Sequence, residues 1–79
     1  MNHNAESQRL KLLDYLIRYK RITTVTARQE LDVMHPAARI QELRERGHNI
    51  MTYRRMVDTG KGRHDGVAEY VLLKLAGSV

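Results

Sequence analysis

The chain has 79 residues, 42% of them apolar, enough for one small core and a single domain over residues 1–79, with the ordered part expected at about 7–74. It has no cysteine, which excludes disulfides and thiolate metal sites, and no apolar run near the ~20 residues of a membrane span. With 14 basic residues against 9 acidic ones the formal charge is +5, which points to a polyanion partner.

The first residues, Met1-Asn2-His3-Asn4, carry no signal-peptide pattern, so a cytoplasmic protein is expected. A first helix is predicted to start near Asn4 or Ser7, either of which can accept a backbone N–H bond. Leu10, Leu13, Leu16 and Ile17 recur at helical spacing, with Leu12 and Tyr19 on an adjoining stripe. The pattern decays at Lys20-Arg21, where cations suit a helix C-terminus. Ile22-Thr23-Thr24 reads as a short strand or a linker. Thr23 or Thr24 then caps a second helix over about Val25 to Leu31, with Ala27 and Leu31 as a core pair. Asp32-Val33-Met34 is the break.

The third helix has the clearest signals. His35 takes the cap position and Pro36 the first helical position, where a missing N–H costs nothing. Gly47 stands where a left-handed terminating residue is wanted. A rotation of about 100° per residue puts Pro36, Ala37, Ile40, Leu43 and the stem of Arg44 on one side. His35, Ala38, Arg39, Glu42 and Arg46 fall on the other. After Gly47 the period changes. Residues 49–56 suit a strand, residues 58–66 with three glycines form a turn, and residues 67–74 suit a second strand. Residues 75–79 are expected to be a loose tail.

Three helices followed by a two-stranded β-hairpin is the order of an α+β winged helix-turn-helix. The run Ala37-Ala38-Arg39-Ile40-Gln41-Glu42-Leu43-Arg44-Glu45-Arg46-Gly47-His48-Asn49-Ile50 resembles the recognition helix and following strand of a winged-helix family of small bacteriophage and prophage proteins. That family shares an Ala-Ala-Arg-Ile core, a Leu-Arg-x-Arg-Gly end and a His-Asn-Ile strand start. The Leu10 to Leu16 helix, Ile22-Thr23 and Glu69-Tyr70-Val71-Leu72 also fit, so the resemblance spans most of residues 8–74. It implies a DNA-binding domain in the cytoplasm of a bacterial host cell. The sequence departs at Met34-His35-Pro36, where a proline changes what the first turn of the helix can donate.

On this reading the third helix enters the major groove, with Arg39 and Arg46 as candidates for guanine or phosphate contact. Glu42 can accept from cytosine N4 or orient the arginines. The bland alternative is a solvated face with a Glu42–Arg46 pair. Gln41 lies at the edge of that face and can bond adenine if the helix is rotated. Arg44, turned inward or toward the hairpin, reads as structural. His35 is either a phosphate donor or a plain cap. Thr24, Thr26 and Arg28 are placed to hold the phosphate backbone. The wing set is Arg54, Arg55, Lys61 and Arg63. Adjacent strand residues point opposite ways, so Arg54 and Arg55 cannot share a groove. Arg39→Ala is expected to lower affinity with the fold intact, and Ile40→Ala to loosen the domain.

Catalysis has no support. His3, His35, His48 and His64 are scattered without zinc spacing. Asp58 and Asp65 lack the spacing of a calcium loop, and no glycine motif opens a helix after a strand. No enzyme, cofactor, metal or small-molecule substrate is expected. The leading function is sequence-selective binding of double-stranded DNA, in transcription regulation or as a recombination or replication accessory. The rival is a winged helix that docks on a host or phage protein, fitted by Glu42 and Glu45. A homodimer would increase specificity, with Met34, Met51 or Met56 marking its seam.

Overall fold

A computed structural model describes residues 4–58 and 63–77. The elements run α1 (Ala5–Tyr19), β1 (Arg21–Thr23), α2 (Thr24–Leu31), α3 (Pro36–Glu45), β2 (Asn49–Asp58) and β3 (Arg63–Lys74). Among the described residues the strands form one antiparallel sheet in the order β1-β3-β2. Ile22-Thr23 is therefore strand, and the expected hairpin gains a third member at its base.

Local chemistry explains where the helices start and stop. Asn4 Oδ1 accepts the Ser7 N–H at 2.8 Å, capping α1. Lys20 ends that helix in a left-handed conformation, returning its N–H to the Leu16 carbonyl at 2.8 Å. The buried face of α1 is Gln8, Leu12 and Leu16. The expected stripe is thus rotated: Leu10 and Ile17 are exposed at 58% and 43%. Thr23 closes β1 and also caps α2, its Oγ1 accepting the Thr26 N–H at 3.1 Å. At the end of α2, Asp32 is left-handed and the Val33 N–H returns to the Ala27 carbonyl. That turn carries Val33 into the core, so the break is a packing element.

Pro36 opens α3 and is itself buried. His35 occupies the cap position but its side chain makes no capping hydrogen bond, so the expected cap is corrected. Its backbone, at φ −129° and ψ 74°, departs from the extended geometry that Asn4 and Thr23 use to cap their helices. Gly47 ends the segment at φ 101° and donates to the Arg44 carbonyl. Only glycine takes that φ at little cost.

Strand register sorts the sheet residues. Ile22 pairs with Tyr70, Ile50 with Leu72, Thr52 with Tyr70 and Arg54 with Ala68. This set faces the helices, and Ile22, Ile50, Ala68, Tyr70 and Leu72 complete a core with Leu12, Leu16, Ala27, Val33, Ile40 and Leu43. The opposite face carries Met51, Tyr53, Glu69, Val71 and Leu73. Leu75 packs against the core and the Ala76 N–H donates to His48 Nδ1 at 3.0 Å. The chain after β3 is therefore docked at residues 75 and 76, where a loose tail is expected from the sequence.

Candidate nucleic-acid interface

Helix α3 has four sides. Pro36, Ile40 and Leu43 point into the core. Arg39, Glu42 and Arg46 lie on the flank toward α1. Ala37, Gln41 and Arg44 lie on the flank toward the hairpin, and Ala38 and Glu45 face solvent opposite the core.

The α1 flank is an ionic brace. Glu42 Oε1 accepts Arg9 Nη1 at 2.7 Å, and Arg39 Nη2 donates to Glu42 Oε2 at 3.0 Å. Glu6 Oε1 accepts Arg9 Nη2 at 2.7 Å and Arg46 Nη2 at 3.2 Å. The Arg39 side chain is only 14% exposed. The expected open face of Arg39, Glu42 and Arg46 is corrected in placement: it abuts α1. The alternative i,i+4 pair of Glu42 with Arg46 gives way to pairs of Glu42 with Arg9 and Arg39 and of Arg46 with Glu6. The Arg9 hydrogen bond, joined by Arg39, holds the Glu42 carboxyl below the usual carboxylate range. Arg9 and then Arg46 do the same for Glu6.

Both carboxylates thus titrate lower in the folded chain than in the unfolded one. Their stabilisation is complete above the unfolded value of about 4.3 and is lost as pH falls through the folded value. We expect the parent to lose thermal stability more steeply than Glu42→Gln below about pH 4.5. Equal acid slopes for the two proteins would remove Glu42 from the brace.

The hairpin flank is open. Arg44 Nε donates to the Ile50 carbonyl at 2.8 Å and Nη2 to Thr52 Oγ1, tying α3 to β2. Arg54, on the same side of the sheet, donates from Nη1 to the Gly66 carbonyl at 3.0 Å. Together with Thr24, Ala37, Gln41 and Tyr70 these residues line one groove, and among the described residues no carboxylate lines it. Burial pushes the Tyr70 hydroxyl above its usual range, while Arg44, Arg54 and Arg28 act against that rise. Two cations, Arg44 of α3 and Arg54 of β2, therefore line this groove. Arg55 faces the other way and pairs with Glu69 at 3.1 Å, as strand alternation requires.

Of the sequence candidates, the groove brings together Thr24, Gln41 and Arg54, and Arg28 is exposed on α2. His35 is exposed at the start of α3. The Thr26 hydroxyl accepts from Thr23 Oγ1 at 3.1 Å, inside the α2 cap. Lys61 lies outside the described residues, and of Arg63 only the backbone pairing with Asp58 is described. Arg44, read from the sequence as structural, is at once a tie and part of the groove. Its position one turn beyond Ile40, on the hairpin side, is the signal for that second role. Among the described residues no three His, Cys, Asp or Glu side chains gather as metal ligands, and no helix is long and apolar enough to cross a membrane.

Two short helices joined by a tight turn, the second flanked by a basic groove and a β-hairpin, define a helix-turn-helix with a wing. A family model described as a winged helix-turn-helix domain matches residues 7–75, and the chain belongs to that family. Such domains are typically non-enzymatic DNA-binding modules, so the family points to DNA as the partner. No curated protein and no solved structure matches the chain.

Proposed function

We propose that the protein binds double-stranded DNA selectively, as a one-domain phage-type regulator of transcription or an accessory factor in recombination or replication. It works in the cytoplasm of a bacterial host, without cofactor or small-molecule substrate. One observation carries this reading: Arg44 and Arg54 line a groove beside the open side of α3, and Arg28, exposed on α2, is the phosphate contact proposed with them. In the proposed complex the first turns of α3 enter the major groove, and these arginines, with His35 at the helix start, hold phosphates. Lys61 and Arg63 extend the grip along the hairpin. Arg39, Glu42 and Arg46 act on this surface indirectly, by holding α3 against α1.

Affinity for random duplex DNA should fall with salt at a log–log slope of about −3 to −4, as expected for roughly four neutralised phosphates. No binding at low salt would overturn the reading. A second reading, docking on another protein, is favoured by Met51, Tyr53 and Leu73, which lie exposed on the sheet face turned from the helices. Met34 and Met56 are exposed as well, and a homodimer seam through such residues would supply the specificity that one short helix lacks. Salt-independent DNA affinity, or none, would favour the protein-docking reading.

A further inference from the structure

We propose that the open face of α3 selects A·T base pairs, with Gln41 reading adenine and the methyl groups of Ala37 and Ala38 packing on thymine. This rests on the DNA reading above and names the class of sequence that surface accepts.

The first argument is the removal of guanine readers. A guanine presents two acceptors in the major groove, and the usual reader is an arginine fork. The two arginines of α3 and Arg46, which follows it, are engaged elsewhere. Arg39 is held by Glu42 and Arg46 by Glu6, while Arg44 gives Nε to the Ile50 carbonyl and Nη2 to Thr52, which leaves Nη1 for a phosphate but no free fork for a guanine.

The second argument is what remains. Gln41 is exposed, and its side-chain amide has no hydrogen-bond partner among the described residues. Its amide offers one donor and one acceptor side by side. Adenine offers the matching pair, N7 accepting and N6–H donating, whereas against guanine O6 and N7 the amide carbonyl faces an acceptor. Ala37 and Ala38 are exposed, apolar and one helical turn before Gln41. Methyl groups there suit the thymine C5-methyl, the apolar mark of the major groove. A helical turn rises about 5.4 Å and a base pair about 3.4 Å, so the alanine contacts fall one or two base pairs from the Gln41 contact. The glutamate on this face, Glu45, sits in the last turn, away from the end that meets the bases.

The experiment is selection of bound sites from random duplexes with the full chain, followed by titration of the winning duplex. We expect an A·T pair at one position with a thymine one or two pairs away. Gln41→Ala should lower affinity for that duplex by about 5- to 150-fold while changing random-duplex affinity little. Replacing the thymine by deoxyuridine should weaken parent binding, and thermal unfolding of Gln41→Ala should match the parent. Enrichment of G·C sites that ignore Gln41, or binding without sequence preference, would overturn the A·T assignment and leave DNA binding standing. Failure to bind any duplex at low salt would overturn both.

Discussion

Ile40→Ala should destabilise the fold by about 2–5 kcal/mol, the range for truncating a fully buried aliphatic side chain. Ile40 is 0% exposed and sits where α3 meets the shared core. The lost burial is compounded by the cavity left in the shared core, which close-packed neighbours fill only in part. A chain this short has a total stability of only about 4–12 kcal/mol. The variant should therefore melt at least about 10 °C lower. Urea unfolding is the direct check: the midpoint should drop with an unchanged m-value. A loss under about 1 kcal/mol would mean that the site collapses freely and that α3 is not anchored through Ile40.

The second large effect concerns the groove. Replacing Arg28 and Arg54 together by alanine should flatten the salt dependence by about 2 log units per log unit of salt, one for each phosphate released. Affinity at fixed low salt should fall at least about tenfold per arginine, since a hydrogen bond to a charged group contributes roughly 1.5–3 kcal/mol. Arg39→Ala should leave the slope as it is, because that guanidinium is spent on Glu42. Both residues of the double variant are exposed, so folding should survive and the affinities compare like with like. If Arg39→Ala flattens the slope and the double variant does not, the α1 flank of α3 is the one that meets DNA.

Some of this was legible before any tertiary structure. The Asn4 and Thr23 caps, Pro36 at the first position of α3 and Gly47 beyond its end all act within a few residues of themselves. Most of β2 and β3 follows from alternation and β-branched content, but β2 runs on to Asp58 and β3 starts at Arg63, within the stretch expected to be a turn. Other features were not legible. Helix α1 has apolar residues at 10, 12, 13, 15, 16, 17 and 19, spread over about 220° of its circumference. Local pattern cannot choose between the Leu10–Ile17 stripe and the Leu12–Leu16 stripe; the helices and sheet packed against it choose the latter. The cap expected of His35 failed because placing a Pro at the next position does not make an imidazole bond back. The docking of Leu75 and Ala76 depends on Gly47 and His48, which are far away in sequence.

The amino-acid sequence by itself determined the order of elements and Pro36, Ile40 and Leu43 as the core stripe of α3, because these follow from dihedral preferences and a fixed rotation per residue. It put Ala37 in that stripe and Gln41 beside Arg39 and Glu42, whereas Ala37 is exposed and Gln41 lies with Arg44. Only the tertiary structure decided what stands against each flank. The bonds joining Arg9 to Glu42 and Arg46 to Glu6 span 33 and 40 residues, so they exist only once α1 has packed on α3. That packing turns three charged residues into a brace and leaves Gln41, beside Arg44, as the residue presented with Arg28 and Arg54 to a partner.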